Sequence, residues 1–458
     1  MTTRPTPRPL VRRLGVVVLC ALFALLYAVG PVAAAGTITF GTPSATSKFG
    51  VGIVFTQPYS GGTIKSADLL MTLPGDVGPS AAALDTIGAG SLVYSMDTSN
   101  SGLYPNTPVV AHFEVVLSDG TIQDGPDVSI TYADDRYTWH VVVGAVVRLH
   151  YIQASDAFAQ QMLTWGENGL QKAARFFGVT ESKPVDFFVY PSEAVFQQGL
   201  SQAGTIGGVT LSAFRTCFAA VPPGASVYGQ SVIPHELTHI AFADASDSPY
   251  HNPPRWFNEG LAVYMSDGYA SSDRQLVSQA VRSGTLRSLL AYSDYFPLDA
   301  NRIFLAYAES VSAIDYMVRK YGQPAVAKIV RTYAGGTTDD EAFKAGIGVD
   351  VATFNAAWLT SVGVTPTQYG PAPAPTGPVP PGWNGSGPGS VTTPGPGATG
   401  AGSVTGTPQP TAGSGQASST GVDDQSAYGV AGIIALAGLL LLGVAWWMSI
   451  RSRGRAFS

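Results

Sequence analysis

Charged side chains are scarce in this chain. Asp, Glu, Lys and Arg make up 12% of the 458 residues, and the net charge is −6. That balance excludes a basic nucleic-acid-binding surface and an acidic solvating tail. Cysteine is scarcer still, with only Cys20 and Cys217. Cys20 falls in a segment expected to be removed, which leaves one thiol and no disulfide framework, so stability must come from packed cores. No P-loop and no Rossmann glycine pattern appears. Histidine is also rare, at six, yet two of the six stand four residues apart. Glycine and proline are plentiful, at 53 and 33, and much of that excess lies late in the chain.

The two ends read as address and anchor. Residues 1–35 carry Arg4, Arg8, Arg12 and Arg13, then an apolar run over 14–29, then Ala33-Ala34-Ala35 before Gly36. This is the order of a secretory signal peptide. The residues before Cys20 are Val17-Val18-Leu19, without the small side chains of a lipoprotein signal. Residues 364–427 are Pro, Gly, Ser and Thr with almost no large apolar side chain, and predict an extended disordered stalk. Residues 428–450 follow, with an unbroken apolar run over 430–450 long enough to span a bilayer. Arg451, Arg453 and Arg455 lie in the tail, 451–458. Basic residues stay cytoplasmic, so a single-pass type I protein is expected, its bulk outside a cell, in keeping with a bacterial surface protein.

Residues 36–136 show short alternating apolar runs, such as 50–55 and 109–117, separated by Ser60-Gly61-Gly62, Pro74-Gly75-Asp76 and Ser118-Asp119-Gly120. The pattern predicts an antiparallel β-sandwich of immunoglobulin or fibronectin-III type. His112, its one histidine, sits inside a strand and reads as structural. A second region, 137–363, mixes strand and helix signals. Strands are expected over 140–143, 145–151, 185–190 and 207–218. Helices are expected over 155–177, with Ser155 as cap, and over 194–200, 255–266 and 304–321, with two more closing helices over 324–362.

The chemistry concentrates in His235-Glu236-Leu237-Thr238-His239. On a helix, residues four apart share a face, so His235 and His239 project side by side. Two imidazoles so placed can hold one Zn²⁺, and Glu236 can act on a water beside it. The helix is expected to start near Ser231, with Pro234 in its first turn. A catalytic zinc needs a third protein ligand and one open position. Glu259, within Trp256-Phe257-Asn258-Glu259-Gly260-Leu261-Ala262, stands a loop and a helix start further on. His251 is a rival ligand, but it lies in a proline-rich loop without helical spacing to the pair. Asp244 and Asp247 read as solvated.

With these residues in view, 140–362 resembles the gluzincin metallopeptidases, in particular their peptidase MA-like domains. Residues 256–262 are similar to the W-x-N-E-G-[FL]-A segment of that group and of the M1 aminopeptidases. The resemblance implies an α+β metallopeptidase domain with His235, His239 and Glu259 on one zinc ion and Glu236 as general base. It implies further that the edge strand over 208–212 pairs with an extended peptide, and that Tyr307 holds the oxyanion. No G-x-M-E-N segment, by which M1 enzymes hold a substrate N-terminus, is present. The whole is therefore expected to be a multidomain, membrane-anchored zinc metallopeptidase acting on peptide or protein substrates. Two other readings stay open: an inactive surface binding or adhesion protein on the same fold, and a zinc hydrolase of a non-peptide substrate.

Overall fold

A computed structural model describes residues 37–366, apart from Asn100, 201–206, Pro249, Leu298 and the side chains of Ala300 and Asn301. The expected signal peptide, nearly all of the stalk, the membrane span and the tail lie outside the described residues. Within the described residues no helix is long and apolar enough to cross a membrane.

The N-terminal region is all β. Its strands are β1 (Thr39–Phe40), β2 (Ser44–Lys48), β3 (Gly52–Ser60), β4 (Ile64–Thr72), β5 (Ser80–Ala83), β6 (Ser91–Asp97), β7 (Thr107–Leu117), β8 (Ile122–Asp124) and β9 (Val128–Tyr132). They form two antiparallel sheets, one of β1, β3, β2 and β6, the other of β5, β4, β7, β8 and β9. Strand period explains the core. In β7 every second residue from Thr107 to Leu117 is buried, and Val109, Phe113 and Val115 meet Ile53 and Phe55 of the other sheet in one cluster. His112 points out of that core and pairs with Asp127 at 2.9 Å.

The second region opens on β10 (His140–Val143) and β11 (Val147–Tyr151). Helix α1 (Asp156–Phe177) follows, capped by Ser155 Oγ and ended by Gly178 at φ 77°. Then come β12 (Val185–Tyr190), α2 (Glu193–Leu200), β13 (Gly208–Leu211) and β14 (Thr216–Ala220). The sheet order is β10-β11-β12-β14-β13, so β13 is the last strand. The single strand expected over 207–218 is in fact a hairpin. A short turn over Ser212–Phe214 and Arg215, at φ 51°, reverse the chain there. Both arms are apolar and buried, so no alternation in the sequence marks where the turn falls.

The remaining elements are helical: α3 (Ser226–Ser246), α4 (Arg255–Ser266), α5 (Ser271–Ser283), α6 (Ala300–Tyr321), α7 (Gln323–Tyr333), α8 (Asp339–Ile347) and α9 (Val351–Ser361). The chain closes with three helices where two were expected, because Thr338 and Glu341 build a capping box that starts α8 afresh. Helix α3 begins five residues before the expected Ser231. Pro234 therefore sits in its interior, where proline removes a backbone donor and usually costs about 3 kcal/mol. Packing overrides that cost. From Ser231 to Phe242 every residue is buried, between α1, α4 and the β13–β14 hairpin. The two β-rich parts are also stitched together. Asn106 Nδ2 donates to Thr216 Oγ1 at 3.0 Å, and Tyr104, Tyr137 and Trp139 pack on the Phe188–Tyr190–Phe218 cluster.

Gly169 of α1 is what lets α3 approach at Pro234. A Cβ there would lie 2.6 Å from Pro234 Cβ and 2.8 Å from its Cα. Gly169→Ala should therefore lower the thermal midpoint, by a cost of about 2 kcal/mol. Helix propensity alone would raise stability by about 1 kcal/mol. A raised midpoint on thermal denaturation would mean that α1 and α3 do not meet this way.

Candidate active site

Helix α3 supplies His235, Glu236 and His239, α4 supplies Glu259 and α6 supplies Tyr307. None of the five is more than 5% exposed. His235 Nε2 and His239 Nε2 stand 3.3 Å apart, and Glu259 Oε2 lies 3.5 Å from the first and 3.6 Å from the second. These three residues are the one cluster among the described residues that could hold a metal ion. A tetrahedral ion with bonds of about 2.0–2.1 Å places its ligand atoms about 3.3–3.4 Å apart, which matches this triangle. Glu259 Oε2 is buried without a hydrogen-bond partner, as an atom reserved for a cation would be. Two imidazoles and a carboxylate are also the donor set that suits zinc.

Neighbours fix each ligand. His239 Nδ1 donates to Asn258 Oδ1 at 2.9 Å, which leaves the lone pair on Nε2. Arg255, one turn before Glu259 on α4, lies 3.6 Å from Glu259 Oε1 and turns Oε2 towards the histidines. Its guanidinium also sits over the Phe296 ring at 5.2 Å. The helix itself is seated by aromatic packing: Trp256 lies parallel to Phe354 and edge-on to Phe343. Gly260 allows α4 to touch α6, since a Cβ there would come within 2.8 Å of Ser310 O.

Glu236 projects from α3 towards β13. Its Oε2 accepts from the Thr210 hydroxyl at 2.7 Å, and its Oε1 is buried without a hydrogen-bond partner. Tyr307 reaches the cluster from α6, its ring 6.3 Å from that of His235 and edge-on to Phe296 at 4.9 Å. His251 does not join. Its Nε2 meets Asp339 Oδ1 at 2.8 Å and its ring stacks on Tyr333, so the loop histidine fastens α8 instead. Asp244 is exposed, as expected of a solvated residue, and also pairs with Arg215, which holds the buried Glu181 as well.

Burial dominates the electrostatics. It pushes the Glu236 carboxyl well above its ordinary pKa; the Thr210 hydrogen bond opposes this and the charge of Glu259 adds to it. Burial also acts to raise Glu259, but the surrounding His235, His239 and Arg255 outweigh it and hold the carboxylate below its usual range. Burial drives His239 down to about 4, with Glu259 opposing and His235 assisting. A neutral His239 beside a Glu259 held as the carboxylate is ready to ligate a cation.

From the sequence, Asn258 and Arg255 were not expected to support the ligands, and Gly208 and Thr210 were expected only as part of the peptide-pairing strand over 208–212, not as neighbours of Glu236. Arg255 was legible in principle, since it stands four before Glu259 on a helix. Asn258 lies inside the quoted motif, but nothing local says that it reaches His239. Thr210 is 26 residues from Glu236, and no sequence signal joins them.

The arrangement is that of a metallohydrolase centre: two helices meeting at a His-His-Glu triangle, with the Glu236 carboxyl beside it, held against an edge strand. The family model of the Peptidase MA superfamily matches residues 165–364. This part of the chain is a gluzincin, clan MA-like domain. Among solved structures the chain is similar to an M1 zinc metallopeptidase from Deinococcus radiodurans, at 12% identity and a TM-score of 0.35, over 72% of this chain and 96% of that one. It is also similar to an aminopeptidase N family protein from Idiomarina loihiensis, at 11% identity and a TM-score of 0.40, over 69% and 75% of the two chains. A polysaccharide deacetylase from Bacillus cereus shows 12% identity and a TM-score of 0.18 over 36% of this chain and 55% of that one. No curated protein matches the sequence.

The His239 shift sets a sign for stability. The unfolded imidazole titrates near 6.5 and the folded one at about 4, so the unfolded chain binds more protons between those values. In metal-free protein the contribution is fully present above pH about 6.5 and is lost on acidification towards pH about 4, on the order of 3 kcal/mol in all. His239→Asn should flatten that part of the stability–pH curve measured by urea unfolding. An unchanged slope would mean that His239 is not buried as a neutral base.

Proposed function

We propose that this protein is a zinc metallopeptidase that cleaves peptide bonds with an activated water. The observation that carries the reading is the donor triangle with Glu236 beside it. His235 Nε2, His239 Nε2 and Glu259 Oε2 would hold one zinc ion. When bound there, zinc supplies Lewis acidity to a scissile carbonyl and brings the pKa of a water towards neutrality.

The chain's own residues do the rest. Glu236 takes a proton from the attacking water at Oε1 and returns it to the nitrogen of the leaving amine as the C–N bond breaks. Its raised pKa suits a group that must both accept and give up a proton. The Tyr307 hydroxyl donates to the carbonyl oxygen as negative charge develops on it. The buried surroundings strengthen both interactions, because little water screens them. The outer side of β13 pairs with no strand among the described residues, and an extended substrate backbone would add there as a further strand. Placement outside a cell, on a C-terminal membrane anchor, belongs to the same proposal. It is supported by the apolar run 430–450, the basic residues after it and the signal-like residues 1–35.

Two measurements test this reading on the full chain. Glu236→Gln should keep about one equivalent of zinc by metal analysis and lose about 100- to 10,000-fold in peptide hydrolysis, whereas His235→Ala should lose the metal itself. Full activity in Glu236→Gln would end the mechanism. Tyr307→Phe should lower kcat by about 100-fold with little change in KM, since the hydroxyl acts on charge that forms only in the transition state. A rise in KM alone would assign Tyr307 to binding instead.

A further inference from the structure

We infer that Thr210, on the edge strand, is the residue that decides which oxygen of Glu236 handles the proton. The inference rests on the peptidase reading above and adds to it a positioning group.

Strand β13 runs beside α3, and all four of its residues are buried. Gly208 and Thr210 are two apart, so they share the face of the strand that meets Glu236. Both touch its carboxyl, in opposite ways. The Thr210 hydroxyl is 2.7 Å from Glu236 Oε2 and 3.0 Å from the Glu236 carbonyl oxygen. A hydroxyl carries one proton, and the carboxylate is both the nearer and the stronger acceptor. The remaining contact of Thr210, to Cys217 Sγ at 3.4 Å, is weaker by length and by the nature of sulfur. Gly208 contributes by having no side chain. A Cβ there would lie 2.5 Å from Glu236 Oε1 and 2.8 Å from Cδ. Oε1 therefore rests directly over the Gly208 backbone and has no hydrogen-bond partner of its own.

The two residues make one device. Thr210 occupies Oε2 and stops the carboxyl from turning about its last bond. Gly208 leaves the space in which Oε1 stays open. A buried carboxyl without the Thr210 bond would have two equivalent oxygens and a freer torsion, and its proton-accepting lone pair would be aimed only part of the time. Proton transfer is sensitive to that aim. The Tyr228 hydroxyl, 3.4 Å from Gly207 O, ties the start of the strand to the same helix that carries Glu236.

The test uses Thr210→Val, which keeps the shape and removes the hydroxyl, and Thr210→Ser, which keeps the hydroxyl and removes the methyl. Both are made in the full chain. Zinc content is measured, then kcat and KM on a pool of internally quenched peptides. Thr210→Val should keep its zinc and its KM within about twofold while losing about 10- to 100-fold in kcat; Thr210→Ser should stay within about threefold of the parent. An unchanged kcat in Thr210→Val overturns the proposal. So does a Thr210→Ser variant as slow as Thr210→Val, since the methyl and its packing would then be the cause. A parent that hydrolyses no peptide with zinc bound would sink the peptidase reading, and the pair is then judged by stability. Thr210→Val and Glu236→Met should lower Tm by less together than the sum of the two separately; strictly additive losses would overturn the pairing.

Discussion

Everything in the second region serves the approach of three donor atoms to within 3.3–3.6 Å of one another. Two lone pairs and a carboxylate oxygen do not gather unaided in a dry interior. Their mutual repulsion and the lost hydration both oppose it. The structure answers with geometry fixed from outside. Asn258 sets the His239 tautomer, Arg255 balances the charge of Glu259, and the turns of the helices that carry the ligands are buried. The cluster is thereby a site with a stored preference for a divalent cation, which would relieve all of these costs at once.

Rigid support follows from the same need. Helix α3 is covered by α1 on one side, by α4 on another and by the β13–β14 hairpin on a third. The Gly169–Pro234 contact brings α1 close, and the Trp256, Phe343 and Phe354 rings brace α4 from behind. Ligands that stand on two packed helices hold their spacing better than ligands on loops. His251 illustrates the contrast. It lies on the loop between those helices, and its role is to bond Asp339 and stack on Tyr333, which keeps the loop down rather than reaching the metal cluster.

Much of this was legible in the residues. Helix spacing places His235 and His239 together, and the second ligand helix occupies Arg255–Ser266 as its apolar pattern predicts. Alternation along β7 likewise marks a half-buried strand. What failed did so where burial erased the pattern. Helix α3 is buried on every side from Ser231 to Phe242 and mixes polar with apolar residues there, so no amphipathic phase marks its start, and Pro234 pulled the expected start five residues too late. The β13–β14 hairpin is buried on both arms, so its turn is hidden in a continuous apolar run. The closing segment divides into three helices because a capping box outweighs continuity.

The sequence by itself determined the chemical alphabet of the site. It did so because a helix turns by a fixed angle per residue, so His-x-x-x-His is a statement about space as well as order. It also determined the strand-rich and helix-rich halves of residues 37–366, through period two and period 3.6. Tertiary structure decided the rest: which glutamate oxygen faces the histidines, that Asn258 and Arg255 steady that site, and that Thr210, 26 residues away in the chain, meets Glu236 together with Gly208. Those contacts join elements whose approach is set by the sum of side-chain volumes between them. No local pattern encodes that sum, and the fold had to form before any of these atoms had a neighbour.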